Sequence, residues 1–331
     1  MAAKLALARM THTVERTFDK VRRGPARDDP IIDCYGGYTT ATQIIIRGRV
    51  LAKARAISAE GPQSIWRNFT DFLNLFYTDE LRDVVITTTD GQARTVTDEE
   101  GFFFLTLDAT APNIPQIVEI QAEGAAETHH VPILSSHDAS FGVISDIDDT
   151  LLRTGAFSLL RNLWTSSTGN VHTREIFPDA IKLLQQFAEH DACFFYVSSS
   201  PWNLYDYLQA IFLRTGVPRG PFFLRDLGIS DTQFITGTHG DHKTDAIEKV
   251  LLANPYLAFT LVGDTGQHDP HIYADIVVRH AGRINQVILR RPSDADLPDE
   301  VTKDIARIRD AGTPVHLDFD YRKLLDDVAV E

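Results

Sequence analysis

The sequence predicts an α/β domain with a doubly wound sheet, preceded by a small antiparallel β-sandwich. From residue 139 onward, continuous apolar runs ("FGVIS", "ACFFYVS", "AFTLVG", "DIVV" and "QVILRR") alternate with helical stretches near 178–190, 202–215, 243–253 and 299–311. That alternation is the pattern of strands buried on both faces by crossover helices. Between 31 and about 138 the runs are short, β-rich and punctuated by turn residues. The length of 331 residues, with 43% hydrophobic and 24% charged, is ordinary globular composition. It suffices for about two domains of roughly 100–200 residues each.

Taken in order, residues 1–30 read as a basic amphipathic helix and linker. Leu7, Met10, Val14, Phe18 and Val21 recur at helical spacing, with Arg9, Arg16, Lys20, Arg22 and Arg23 around them, and "GPARDDP" breaks the pattern. Docking on the protein itself is the expected use of this helix; contact with an anionic membrane is the alternative. Residues 31–138 carry "TQIIIRGRVL", "RDVVITT", "ARTVT", "GFFFLTL", "PQIVEIQ" and "THHVPIL". Asp90-Gly91 gives a hairpin signal, and the regular strand spacing argues for the sandwich. This region resembles transthyretin-like or prealbumin-like modules. Residues 139–331 form the α/β domain, whose site is expected beyond the carboxyl ends of its strands.

A net charge of −14 repels a nucleic-acid backbone, so an anionic substrate must be drawn in by local cations or a metal. The two cysteines, Cys34 and Cys193, make no disulfide framework or zinc knuckle, and Cys193 in "ACFFYV" reads as a small buried hydrophobe. No apolar run is long enough to cross a bilayer, and the N-terminus lacks a secretory pattern, so a cytoplasmic address is expected, with peripheral membrane contact left open.

The chemistry gathers at strand ends. In "GVISDIDDTLLRTG", Asp146 and Asp148 lie two residues apart in an extended segment and address one pocket. Two such carboxylates cannot both ionise cheaply without a cation, which separates their roles. "FFYVSSSPW" closes a second strand. Ser200 before Pro201 reads as a helix N-cap, which leaves Ser198 as the phosphate ligand. In "THGDHKTDAIEKVL", Lys243 stands early in a helix, where the helix dipole does not favour a cation, so it is expected to neutralise a carboxylate or phosphate. "FTLVGDTGQHDPHIYADI" ends a third strand with Asp264 and adds Asp269, two hard oxygen ligands of the kind a Mg²⁺ site requires. The pairs His239/His242 and His268/His271 fall one residue short of the common helical metal spacing and read as solvent-facing or supporting groups.

In this order, Asp, Asp, Ser, Lys, Asp, Asp resembles the haloacid-dehalogenase-like (HAD) phosphohydrolases over roughly 140–290, which implies a Rossmann-like HAD catalytic domain. "ISDIDDT", "YVSSSPWNLY", "FFLRDLG", "HKTDAI" and "GDTGQHDPHIYADI" are similar to the catalytic domain of the actin-patch-associated phosphatidate phosphatase family. That family usually has Asn at the position of Ser199 and an acid at that of His271, departures that bear on substrate preference.

The resemblance implies Asp146 as nucleophile, Asp148 as acid and then base, and Ser198 and Lys243 on phosphate oxygens. Mg²⁺ would be held by Asp146, the backbone carbonyl of Asp148, and Asp264, with Asp269 supporting the metal shell or Lys243. Thr150 is expected to fix the turn. The intervals 151–191 and 201–242 are too short for a large lid, so an open pocket is expected; Phe157, Leu160, Leu163 and Trp164 make an apolar flap that is expected to pack onto the domain, with contact with a lipid surface as the alternative. The expected reaction is Mg²⁺-dependent hydrolysis of phosphatidate to diacylglycerol and phosphate at a membrane surface. The alternatives are a phosphatase of soluble phosphomonoesters and a membrane scaffold with an idle catalytic domain.

Overall fold

Seven strands make the first sheet of the structure, a computed structural model that describes residues 30–52, 80–109, 113–153, 176–225 and 239–324, the side chains of 239–241 and 323 aside. They are β1 (Ile31–Thr39), β2 (Gln43–Leu51), β3 (Val85–Thr88), β4 (Arg94–Val96), β5 (Phe102–Asp108), β6 (Ile117–Ala122) and β7 (His129–Leu134). Their order is β4-β3-β6-β7-β1-β2-β5. Every pair is antiparallel except β1 with β7, where Gly37 lies opposite Ile133 and Tyr38 opposite Leu134 in parallel register.

The two edge strands meet at a tight turn. Asp98 Oδ1 accepts from the amides of Glu100 (3.0 Å) and Phe102 (2.9 Å), so β5 starts beside the end of β4 and the sheet nearly closes. Ile44, Ile46, Ile86, Phe103, Leu105, Ile120 and Val131 fill the interior. Each contributes about 1.5–3 kcal/mol by leaving water.

The second sheet is wholly parallel. It holds β8 (Phe141–Ser145), β9 (Ala192–Pro201), β10 (Phe222–Arg225), β11 (Phe259–Asp264), β12 (Ile284–Arg290) and β13 (Val315–Asp318), in the order β10-β9-β8-β11-β12-β13. Five α-helices accompany it among the described residues: α1 (Pro178–Glu189), α2 (Tyr205–Thr215), α3 (His239–Ala253), α4 (Asp269–Arg279) and α5 (Asp299–Asp310). Alternate residues of the strands enter two buried clusters. Val143, Phe194 and Tyr196 pack with α1 and α2, while Ile144, Leu261 and Val287 pack with α3 and α4. The two sheets also share apolar packing, since Tyr35 and Phe102 of the first join the α1–α2 cluster.

The architecture corrects the expected fold class. In place of a doubly wound Rossmann-like HAD domain behind an antiparallel β-sandwich, the chain has two large sheets, one mixed and barrel-like and one parallel, with few helices. The physical reason for losing the sandwich is the β1–β7 pairing. It stitches what would be two facing sheets into one, a long-range choice that local strand patterns do not encode. "DIVV" is also corrected, since it lies inside helix α4. The N-terminal basic helix and the apolar flap at 155–170 lie outside the described residues. No helix among the described residues is long and apolar enough to cross a membrane.

Candidate active site

Beyond the carboxyl ends of β8, β9 and β11, the expected residues come together. The amide of Asp146 donates to the Val262 carbonyl (2.8 Å), which continues the β8–β11 ladder by one residue and fixes where the first carboxylate leaves the sheet. The chain then turns sharply. The amides of Leu151 and Leu152 return to the Ile147 carbonyl at 3.0 and 2.9 Å, and Asp149 adopts φ 61°, a conformation Asp tolerates better than most residues.

Lys243, from the first turns of α3, projects its ammonium between two carboxylates. Its Nζ lies 2.8 Å from Asp146 Oδ1 and 2.5 Å from Asp269 Oδ1, and all three side chains are buried. Burial works against the Lys243 charge, but Asp146 and Asp269 outweigh it and hold the ammonium above the ordinary lysine value. Asp146 is pushed well above the usual carboxylate range, chiefly by burial, with Lys243 pulling the other way. Burial and the neighbouring Asp269 raise Asp264 to about 7.

Asp264 ends β11 and Asp269 opens α4, and the intervening loop folds tightly. The Asp264 amide donates to Asp269 Oδ2 (3.2 Å), and the Gly266 amide donates to Asp264 Oδ1 (2.6 Å). Gly263 permits this closeness. A Cβ there would stand 2.6 Å from Asp269 Oδ2 and 2.8 Å from the Tyr273 ring, distances no side chain tolerates. Asp146, Asp264 and Asp269 each offer an oxygen within 4.8 Å of the others, an arrangement able to hold a cation.

Asp148 sits apart from that trio. Its Oδ2 accepts from Ser198 Oγ and Ser200 Oγ, each at 2.8 Å, and its backbone carbonyl accepts from Gln267 Nε2 at 3.1 Å. The six expected site residues thus converge, in two groups. Asp146, Lys243, Asp264 and Asp269 form one. Asp148 and Ser198 form the other, joined to the first through the Asp146–Asp148 backbone.

Three residues do more than the sequence reading gave them. Ser200 is not a helix N-cap; β9 runs on through Pro201, which pairs with Arg225, and the hydroxyl turns to Asp148. Thr150, expected only to fix the turn, donates to Asp146 Oδ2 at 3.2 Å. Gln267 carried no local signal, since only the three-dimensional return of the β11–α4 loop brings it to Asp148. His271, expected beside the pocket, is exposed at the surface against Asp275 and Asp304. Ser199 is half-buried next to the two serines that hold Asp148.

Comparison with known proteins bears on the same segment. Residues 141–291 match the model of the phosphatidate phosphatase APP1 catalytic domain. The chain is 28% identical over 219 residues to phosphatidate phosphatase APP1 of Saccharomyces cerevisiae, covering 62% of this chain and 37% of that protein. It therefore spans little more than a third of that relative's length. Among solved structures, the Pnkp1/Rnl/Hen1 complex aligns at TM-score 0.34 and 10% identity, over 51% of this chain and 56% of the other. The carbohydrate acetylesterase XAC1771 from Xanthomonas citri aligns at 0.26 and 8%, over 84% and 73%. Neither structural likeness carries an argument. The sequence match does: the segment 141–291, which holds every residue of the site, is similar to the phosphatidate phosphatase APP1 catalytic domain.

Proposed function

We propose that this chain is a Mg²⁺-dependent phosphatase that hydrolyses phosphatidate to diacylglycerol and phosphate through an aspartyl-phosphate on Asp146. One observation carries the reading: a buried ammonium shared by Asp146 and Asp269, beside a third buried carboxylate, with Asp148 held separately by two hydroxyls. Three carboxylates around one ammonium leave two negative charges uncompensated when all are ionised. Asp264 Oδ2 is buried and has no hydrogen-bond partner among the described residues. Hard oxygen donors with that charge deficit fit a Mg²⁺ ion, held by Asp146 and Asp264 with Asp269 behind them. When bound, the ion would neutralise and polarise the phosphoryl oxygens.

The chain's own groups supply the rest. An Asp146 oxygen attacks phosphorus as the bond from phosphorus to the alcohol oxygen breaks, and Asp148 gives its proton to that departing oxygen. Asp148 then takes a proton from water, whose oxygen attacks phosphorus and releases Asp146 and inorganic phosphate. Lys243 faces the same point and offsets charge on the transferring group. Ser198 and Ser200 hold the Asp148 carboxylate in register for both proton transfers. The choice of phosphatidate is supported by the relative's name and by the family match of the catalytic segment.

The test is phosphate release from phosphatidate in mixed micelles, beside p-nitrophenyl phosphate and sugar and nucleotide phosphates. Turnover of phosphatidate that EDTA stops and Mg²⁺ restores is expected. A preference for the soluble esters overturns the lipid assignment, and turnover indifferent to EDTA overturns the metal.

A second expected outcome concerns pH. In EDTA the folded protein holds a proton on Asp264 up to about pH 7, whereas the unfolded chain releases it near the ordinary aspartate value of 3.8. Stability from this group is full below that unfolded value and is lost as pH rises through about 7. The melting temperature of the metal-free protein should fall across that window, and added Mg²⁺ should raise it more at pH 8 than at pH 5. Equal Mg²⁺ effects at both pH values would contradict this.

A further inference from the structure

We propose that the barrel-like sheet positions the catalytic site through Arg47 and Trp202, an inference that rests on the phosphatase reading above. Arg47 lies on β2, in the first sheet, yet its guanidinium is buried against the second. Its Nη2 donates to the Phe222 carbonyl at 2.7 Å, the first residue of β10. Its planar group stands 4.9 Å from the Tyr38 ring centroid, 5.2 Å from that of Trp202 and 4.5 Å from that of Phe223. No carboxylate pairs with it among the described residues. A buried cation faced by aromatic rings is costlier than an apolar side chain of the same volume, so stability alone does not account for it.

What Arg47 touches explains its place. Trp202 follows Ser200 and Pro201 directly, opening the short turn Trp202–Leu204 at the end of β9. Tyr35 of β1 stacks on it from the same barrel-like sheet, with centroids 4.6 Å apart and planes 13° off parallel. Phe222 sits on β10, where it pairs with Tyr196 of β9. Arg47 and Tyr35 therefore grip both the strand that carries Ser198 and Ser200 and its neighbour. Two residues before the gripped ring, the Ser200 hydroxyl holds Asp148 Oδ2 at 2.8 Å. A loosened Trp202 frees Ser200, and a freed Ser200 lets the proton-transferring carboxylate wander. Misplacing a catalytic group by about 1 Å can cost as much as 10²-fold in rate.

The experiment is a double-mutant cycle on the full chain, reading kcat and KM for p-nitrophenyl phosphate. Arg47→Met and Ser200→Ala should each lower kcat by about tenfold while leaving KM within about twofold, and the double variant should be no slower than Ser200→Ala alone. Phe104→Ala, on the exposed face of the barrel-like sheet, should turn over at the wild-type rate. Costs that multiply in the double variant, or an Arg47→Met enzyme with unchanged kcat, overturn the inference. If circular dichroism shows Arg47→Met unfolded, Trp202→Phe takes its place in the same cycle with the same expected outcome. Wild-type protein that releases no phosphate from any ester overturns the phosphatase reading itself. Active wild-type protein with multiplying costs overturns only the positioning role.

Discussion

Asp146→Asn protein stays folded and loses phosphate release from both p-nitrophenyl phosphate and phosphatidate, by at least about 10³-fold. The amide matches the carboxylate in shape and can still accept from Thr150, but it cannot attack phosphorus. Folding should not suffer. Asp146 is a buried carboxylate crowded by Asp269, Asp264 and Asp148, and burial already disfavours its charge. Removing that charge should leave the melting temperature of metal-free protein unchanged or raise it, as is common where a site is strained for function. Wild-type-like turnover in the variant would remove Asp146 as nucleophile. A collapse of the fold would show that the carboxylate is needed for structure.

Lys243→Met has the opposite balance. The ammonium is the cation common to Asp146 and Asp269, and the lysine side chain is only 5% exposed. Deleting one partner of a buried ion pair leaves the other charges uncompensated, which typically costs about 3–5 kcal/mol. A large fall in the urea midpoint is expected. Protein that remains folded should lose about 10²–10³-fold in kcat, the usual consequence of removing one preorganised charge from a transferring group. A variant within about threefold of wild type in both measurements would mean that Lys243 is neither structural nor catalytic. Asp146→Asn and Lys243→Met therefore separate by their stability readouts even though both inactivate.

The site was more legible than the fold because its residues announce themselves locally. Asp146, Asp264 and Ser198 each follow or end an apolar run, and Lys243 and Asp269 each stand in the opening turns of a helix, so one-dimensional spacing located them. What failed depended on pairing. "DIVV" reads as a strand because Ile272, Tyr273, Ala274, Ile276 and Val277 are all buried in α4, and a helix covered on most sides shows little periodicity. β10 and β13, four residues each, are not among the runs read as strands. β1 was missed because Asp33, Gly36 and Gly37 interrupt its apolar pattern, with the register slipping between Cys34 and Gly37. Ser200-Pro201 imitates a helix start so well that only the continuation of β9 through Pro201 corrects it.

The parallel seam between β1 and β7 also constrains how the molecule is made. Strand β1 waits for β7, about a hundred residues later, before that edge is covered. Until His129–Leu134 leave the ribosome, β1 exposes unpaired amides and carbonyls that invite association with other chains. Only a few residues separate that closing strand from β8, so completing the first sheet and starting the parallel one fall at nearly the same moment of synthesis.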